Sequence, residues 1–339
     1  MRFSMFGRSS LTAKGAWASA LCVAALLAAG CGDDKPAKSE IRTVPHEGQW
    51  GIYSLDLASQ NVALLYSTND EIAGIQLSNS GTHLTFAIKT QSGVEIDTTS
   101  EIYTLSVAGG GMSRLTNNAY LDTYSSFSPY DSQIVFLSIR GGTLDLYVMD
   151  SDGANQQLLY NSGGHDGDVD WGTSGRMVFT RDHQIWSLNS EGADPQQVTD
   201  PPDTGTWGSA NLPTGDYDPR LSPDASLVAF ERLVDVSFLH GGYDIHVAKA
   251  DGSGDTALTS TGSQGYAQGF ANWSHSGDQL VYVLSAVGTE GRFDLYTMNS
   301  DGSGNHNITP GHFPATFLCH NAIFSLDDSK IYFVGQWWQ

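Results

Sequence analysis

FANWSHSGDQLVYVLSAVGTEGRFDLYTMNSDGSGNHNIT, residues 270–309, contains four short runs rich in β-branched and aromatic residues. Turn residues separate the runs, and the pair Asp301 and Gly302 supplies the positive φ angles that a tight hairpin needs. This pattern predicts a four-stranded antiparallel meander. A single sheet of this kind cannot bury both of its faces, so the chain must stack it on copies of itself.

Copies of this unit recur along the chain at intervals of about forty to sixty residues, the range for a propeller blade. The turn before the second strand recurs at residues 78–81, 128–131, 172–175, 222–225, 274–277 and 325–328. A ring side chain marks each third strand: Tyr53, Tyr103, Tyr147, Trp186, His246 and Tyr296. Threonines close four of the copies: Thr116, Thr199, Thr259 and Thr309.

The two ends of the chain complement each other. After the turn at 325–328 the sequence holds one more strand, 330–334, whereas residues 50–66 hold a third and a fourth strand with no first or second. We therefore expect the N-terminal pair to complete the C-terminal blade, because such closure leaves no open sheet edge. The prediction is an all-β, six-bladed propeller of four-stranded antiparallel blades, spanning residues 49–339.

Three motifs carry a resemblance to a known family: SPDASLVAFERL (222–233), FSPYDSQIVFLSIRGGTLDLYVMDSDGAN (127–155) and DLYTMNSDGSGNHNIT (294–309). They resemble the repeats of the TolB-type six-bladed β-propeller, and the resemblance covers residues 50–339. It implies a ring that binds a protein segment at its channel mouth. The chain has no room for the α/β domain that precedes the propeller in TolB, and the same repeat also occurs in peptidases and lyases, so fold does not give function here.

The N-terminus has the pattern of an export signal. Arg2, Arg8 and Lys14 precede an apolar segment, 16–29, that is too short for a stable transmembrane helix. The stretch 27–31, Leu-Ala-Ala-Gly-Cys, resembles the bacterial lipoprotein cleavage box, which implies that Cys31 becomes the lipidated first residue. The alternative is an ordinary secretory peptide with an incidental cysteine. The prediction is a signal peptide at 1–30 and a membrane-anchored lipoprotein of the cell envelope.

Residues 31–48 are polar, contain two prolines and show no periodicity, so they are predicted to be a flexible tether. By resemblance to the enteric sorting rule, glycine at position 32 favours the outer membrane, with the ring on the periplasmic or the surface side.

Charge and cysteine content limit the partners. The net charge is −21, from 16 basic and 37 acidic residues, and such a surface repels nucleic acid and anionic headgroups. A basic peptide or a divalent cation is the favoured kind of partner. Of the three cysteines, Cys22 lies in the signal peptide and Cys31 is the predicted lipid site, so Cys319 has no partner for an internal disulfide. We expect a monomer of one large domain.

Acidic and amide side chains recur in the segments that lead into the predicted innermost strands: Asp122, Asp166, Asp168, Asp170, Asp216, Asp218, Asn272 and Asn321. Because these segments meet at one mouth of a propeller channel, we expect the side chains to cluster there. Such oxygen ligands suit a calcium ion, or the ammonium and guanidinium groups of a bound segment. The alternative is that each caps its own turn.

The connection 200–218, DPPDTGTWGSANLPTGDYD, is longer than its counterparts, and loops of that length are often functional. It is predicted to be a lid or recognition loop at the same mouth, with Trp207 as a contact. The alternative is that Trp207 packs against the adjacent blade.

Catalysis has weak support. The sequence contains neither Gly-x-Ser-x-Gly nor His-Glu-x-x-His. One enzyme alternative remains, a metal-assisted lyase similar to the oligogalacturonate lyases, whose channel histidines bind manganese. The loop histidines available for it are His165, His240, His275, His312 and His320, and they lack paired metal-ligand spacing. The sequence therefore predicts a non-catalytic, lipid-anchored module that binds an envelope protein or peptide, with a purely structural envelope role as a further alternative.

Overall fold

A computed structural model describes residues 44–89, 99–210, 212–286 and 292–338. The predicted signal peptide, Cys31 and most of the predicted tether lie outside these ranges. Within them the chain is almost entirely β-strand, and the only helix is one 3₁₀ turn, Gly262–Gln264.

Five blades follow one another along the chain. Blade 1 consists of β3 (Glu71–Leu77), β4 (His83–Lys89), β5 (Ser100–Ser106) and β6 (Ser113–Arg114). Blade 2 consists of β7 (Asp122–Phe127), β8 (Gln133–Ser138), β9 (Asp145–Asp150) and β10 (Gln157–Tyr160). Blade 3 consists of β11 (Asp166–Trp171), β12 (Met177–Arg181), β13 (Gln184–Leu188) and β14 (Gln196–Gln197). Blade 4 consists of β15 (Gly215–Leu221), β16 (Leu227–Asp235), β17 (Gly242–Lys249) and β18 (Thr256–Ala257). Blade 5 consists of β19 (Ala267–Trp273), β20 (Gln279–Ser285), β21 (Phe293–Asn299) and β22 (His306–Asn307).

The sixth blade is assembled from both ends of the chain. It consists of β23 (Phe317–Phe324), β24 (Lys330–Trp337), β1 (Trp50–Asp56) and β2 (Val62–Thr68). β1 pairs antiparallel with β24, and the rings of Tyr53 and Phe333 stack across this seam with centroids 5.5 Å apart. Each innermost strand contacts the next, and β23 contacts β3, so the ring is closed. The predicted six-bladed architecture and its mode of closure are confirmed.

The ring side chain predicted in every third strand has a partner on the second strand. The cross-strand pairs are Phe86–Tyr103, Phe136–Tyr147, Phe179–Trp186, Phe230–His246, Tyr282–Tyr296 and Phe333–Tyr53. Aromatic pairs of this kind stabilise a sheet beyond their area burial. The recurrence in the sequence is therefore the trace of one packing contact repeated in each blade.

The closing threonines compensate for short fourth strands. The hydroxyl of Thr116 accepts the Ile102 N–H of β5 at 2.9 Å, beside the two-residue strand β6. Thr199, Thr259 and Thr309 make the same bond to Ile185, Ile245 and Leu295. A buried N–H without a partner is costly, so a hydroxyl at this point completes the pairing that the fourth strand leaves unfinished.

The start of the described chain is packed against the closing blade. Val44 is buried in an apolar cluster, the Pro45 carbonyl accepts the Tyr53 hydroxyl at 3.0 Å, and the His46 ring stacks on Trp337 at 4.1 Å. Trp337 also donates its indole N–H to the Tyr53 hydroxyl at 3.2 Å. Ordered packing thus begins before the predicted domain boundary at residue 49.

Candidate binding site in the central channel

A β-bulge interrupts each of the six innermost strands at the same point. The residue at each bulge has a φ angle between 35° and 54°. These six residues, which we call the bulge ring, are Gly74, Tyr124, Asp168, Asp218, Phe270 and Asn321. Bulges re-aim a side chain out of the strand's normal alternation. Backbone of this kind is strained for a residue other than glycine, and such strain concentrates at functional sites.

Three carboxyl groups meet at the level of the bulge ring. Asp168 and Asp218 belong to the ring, and Glu231 reaches them from β16; none is more than 7% exposed. The Asp218 N–H donates to Asp168 Oδ2 at 3.5 Å, and the Phe270 N–H donates to Glu231 Oε2 at 3.3 Å. Both carboxylate oxygens of Asp218 are buried without a hydrogen-bond partner among the described residues.

Burial dominates the ionisation of this cluster. It raises the pKa of Asp168 and raises that of Asp218 well above the usual range, where the nearby Asp168 charge adds to the effect. It also raises the pKa of Glu231 to about 8. Removal of solvent disfavours the charged form of a carboxyl group. At neutral pH the cluster therefore retains protons that exposed carboxyl groups would have lost.

Arg220 is the cation beside the cluster. Its Nη2 lies 3.7 Å from Asp218 Oδ1, and its Nε donates to Asn272 Oδ1 at 3.1 Å. Its charge lowers the pKa of Asp168 against the larger effect of burial. One guanidinium thus lies beside a cluster of three carboxyl groups.

The channel opens into a funnel where the innermost strands end. The funnel is a cavity of about 160 Å³, and it contains the side chains that follow the bulge ring by two positions: Gln76, Ser126, Asp170, Arg220, Asn272 and Ile323. Its rim is formed by the strand-connecting turns, which include Asn79, Thr173 and His275. We call this side of the ring the funnel face, and the opposite side, where the innermost strands begin, the start face.

Two hydrogen-bond donors on the funnel wall lack a partner among the residues that the structure describes. They are the buried indole N–H of Trp171 and the side-chain amide of Gln76. Trp273 stands at the position in blade 5 that matches Trp171 in blade 3, and its indole N–H donates to the Arg220 carbonyl at 3.0 Å. Of these two matched tryptophans, Trp273 has an acceptor within the protein and Trp171 has none among the described residues.

The predicted site residues lie inside the innermost strands, not in the connections before them, and they are spread along the channel. Asp122 and Asp216 stand at the start face, where they pair with Arg140 at 2.8 Å and Arg232 at 2.6 Å. Asp166 also stands at the beginning of its strand, where it accepts the Ser162 hydroxyl at 2.7 Å. Asp168, Asp218 and Asn321 belong to the bulge ring, and Asp170 and Asn272 line the funnel. The predicted residues therefore do not form the expected single cluster at one mouth, because these acids, of a type uncommon inside strands, lie within the strands.

Asp170 and Asn321 differ in how many of their side-chain oxygens accept a hydrogen bond. Asp170 accepts the Leu221 N–H at 2.9 Å and the Ser126 hydroxyl at 3.3 Å, so it links three blades. Asn321 is 7% exposed, and its Oδ1 has no hydrogen-bond partner within the described ranges. Glu231 and Arg220, which complete the channel chemistry, were not singled out from the sequence.

The long connection before β15 lies at the start face. The Ser209 N–H donates to the Val236 carbonyl at 2.6 Å, and Ala210 and Leu212 are buried in the main apolar cluster. Trp207 is 63% exposed. The loop and the funnel therefore occupy opposite faces of the ring, and Trp207 is not tucked against a blade.

Among the described residues, no group of three or more histidine, cysteine, aspartate or glutamate side chains is arranged to hold a metal ion. The loop histidines do not converge: His320 lies buried in β23 and contacts Gln336 at 3.1 Å, His275 stands on the funnel rim, and His240 is exposed beyond β16. No helix in the described ranges has the length and apolarity to cross a membrane.

Comparison with known proteins supports the fold assignment. No family model matches the chain. An uncharacterized protein of Agrobacterium fabrum, Atu1656, is 30% identical over 192 residues, which are 54% of this chain and 61% of the relative. The match therefore spans less than two thirds of that protein.

Three solved structures share the architecture. A TolB candidate from Agrobacterium tumefaciens is 18% identical with a TM-score of 0.65, covering 86% of this chain and 99% of that one. TolB from Acinetobacter baumannii is 14% identical with a TM-score of 0.53, covering 79% and 65%. An oligogalacturonate lyase in complex with manganese is 15% identical with a TM-score of 0.53, covering 85% and 83%. These likenesses show that the chain has the TolB-type propeller fold.

Proposed function

We propose that this ring is a binding module that takes a segment of a protein partner into the funnel. Its likeness to TolB propellers favours protein binding over catalysis, and the scattered histidines favour it further. The proposed ligand is a stretch of polypeptide, the proposed site is the funnel wall, and the ring acts as a monomer.

The unpaired indole N–H of Trp171 carries this proposal. A buried donor without an acceptor costs about 1–3 kcal/mol, so proteins keep few of them. Trp273 shows that the same position can be satisfied within the protein. A ligand that supplies an oxygen beside Trp171 would remove the cost in the bound state alone.

A polypeptide main chain matches the chemistry of the wall. Its carbonyl groups suit the donors of Trp171 and Gln76, and its N–H groups suit the oxygens on the opposite part of the wall. The net charge of −21 favours a segment that carries lysine or arginine. Exposed Leu326 adds an apolar contact on the rim.

The proposed location is the cell envelope, with the chain attached to a membrane through lipid on Cys31. The support is the stretch 27–31 and the basic, then apolar, leader before it. Several acyl chains on one cysteine give stable anchoring, whereas one chain gives marginal binding. Radiolabelled palmitate should be incorporated into the wild type but not into Cys31→Ser; equal labelling would refute the anchor.

The two faces can be compared by making the same kind of substitution on each. The soluble ring from Val44 onward is immobilised and exposed to detergent-solubilised envelope proteins of the source bacterium, and captured proteins are identified by mass spectrometry. His275→Trp obstructs the funnel rim, and His240→Trp makes the same change at an exposed position of the start face. We expect a captured partner to be lost at least tenfold with His275→Trp and retained with His240→Trp. Retention by both variants, or capture of nothing by the wild type, would overturn the proposal.

A further inference from the structure

We infer that the start face rests on a lipid surface, so that the funnel points away from the membrane. This inference deepens the proposed lipid attachment at Cys31 and depends on it. It assigns an orientation and a membrane-contact surface to the ring, and both follow from where the chain joins the fold and from what that face exposes.

The chain joins the ring at the start face. Trp50, at the beginning of β1, pairs with Gln336, near the end of β24. The end of β24 pairs with the beginning of β23, since Phe317 faces Trp337. Val44 and His46 are packed beside this point, the latter on the Trp337 ring.

The attachment is short. The chain from Cys31 to Val44 has about 13 residue steps and can span at most about 45 Å when fully extended. The ring must therefore stay near the bilayer, and the face nearest to it is the one at which Val44 enters. The opposite arrangement would require the chain to pass around the outer edge of a blade before reaching the membrane.

The start face exposes the side chains that insert at a membrane surface. Trp207, Leu239 and Trp338 are each 63% exposed. The segments that carry the first two are adjacent, because the N–H groups of Ser209 and Ala210 both bond to the Val236 carbonyl. Trp338 lies at the start of β23, where its N–H donates to the Thr316 carbonyl.

Physical chemistry favours lipid as the occupant of this surface. Tryptophan is enriched at membrane interfaces because its ring is amphipathic, and leucine contributes apolar area. The acidic protein gains nothing from anionic headgroups, so the contact should be strongest on a zwitterionic surface. Arg232, a cation near this face, is already paired with Asp216 and Asp255.

The test compares two exposed serines on opposite faces. Ser209→Cys places a thiol beside Trp207, and Ser132→Cys places one on a turn of the funnel face; buried Cys319 should not react. The lipidated full-length protein, labelled with an environment-sensitive fluorophore, is reconstituted into phosphatidylcholine vesicles that carry a bilayer-embedded quencher. We expect a blue shift and at least twofold quenching at position 209 and neither at 132. Trp207→Ser with Leu239→Ser should return the label at 209 to water-like emission.

Each other outcome is decisive. Water-like emission at both positions on vesicle-bound protein would overturn the orientation while leaving the anchor intact. Failure of the protein to bind vesicles would overturn the anchor, and with it the inference. A shift at 209 that requires added envelope protein would identify a protein as the occupant and refute lipid.

Discussion

The indole N–H of Trp273 donates to the Arg220 carbonyl across a blade boundary, and its structural counterpart Trp171 makes no such bond within the described residues. Replacing each tryptophan by phenylalanine keeps most of the ring and removes the N–H. We expect Trp273→Phe to lower the free energy of unfolding by about 1 kcal/mol and Trp171→Phe to leave it unchanged or raised. Urea denaturation measures both; equal losses would show that Trp171 has an acceptor in the free protein.

The burial of Glu231 beside Asp168 and Asp218 predicts how stability depends on pH. The pKa of Glu231 is about 8 in the fold and lower when unfolded, so between these values the folded state holds a proton that the unfolded chain has lost. Stability should therefore fall as the pH rises through that window, by about 2–4 kcal/mol for the cluster.

Glu231→Gln removes this titration. The fall in melting temperature between pH 5 and pH 8.5 should be smaller in Glu231→Gln than in the wild type, and the exposed control Glu191→Gln should behave as the wild type. Asp166, with a pKa raised to about 7 by burial, contributes in the same window, so some dependence should persist. Identical slopes in all three proteins would contradict a raised pKa at Glu231.

Gly269 and Gly167 occupy matched positions immediately before two bulges. A methyl group on Gly269 would overlap the Glu231 carboxylate, whereas one on Gly167 would meet Thr180 Cβ at 3.7 Å, an ordinary contact. Gly269→Ala should cost about 2–4 kcal/mol and Gly167→Ala less than about 1 kcal/mol. Thermal unfolding of the two variants tests whether the carboxyl cluster is held where the structure places it.

The closing threonine is expected to act through its hydroxyl. Thr116→Val preserves shape but leaves the buried Ile102 N–H without its acceptor, and should cost about 1–3 kcal/mol. Thr256→Val at an exposed position serves as the control. If both variants unfold at the same denaturant concentration, the bond to Ile102 contributes nothing measurable.

Trp337 and its neighbour Trp338 are expected to contribute differently to the stability of the closed ring. Trp337 contacts Tyr53, His46 and Phe317, whereas Trp338 is 63% exposed. Trp337→Ala should destabilise the ring by about 2 kcal/mol and Trp338→Ala by less than about 0.5 kcal/mol. Calorimetric melting of both proteins gives the comparison. Equal melting temperatures would show that the contacts of Trp337 do not stabilise the closure of the ring.

The architecture was predictable because each blade repeats the same local signals. Turn residues, third-strand rings such as Tyr296 and closing threonines recur at similar spacing, and a repeated packing contact leaves a repeated residue. The composite blade was predictable because the unpaired strands at the two ends were complementary. Turns, cross-strand pairs and strand endings depend on residues close together in the sequence, so a single sequence reveals them.

The channel was less predictable, for two physical reasons. The positive φ angles of Tyr124 and Phe270 could not be predicted from the sequence, because neither residue type favours that conformation. Tertiary packing imposes it. Glu231 lies in an apolar strand and looks like an ordinary outward-facing charge until the fold turns it toward Asp218. The recurrence of the acids is visible in the sequence, whereas their partners and their order along the axis depend on the fold.

The composite blade also sets an order of events in biogenesis. β1 is synthesised early and β24 late, yet each is the other's neighbour, so the ring cannot close until nearly the whole chain is available. Until then β1 and the early blades present unpaired edges, which are prone to aggregation and proteolysis. A chain interrupted before β24 would keep those edges exposed, so a stable ring requires that translation reach the last strand.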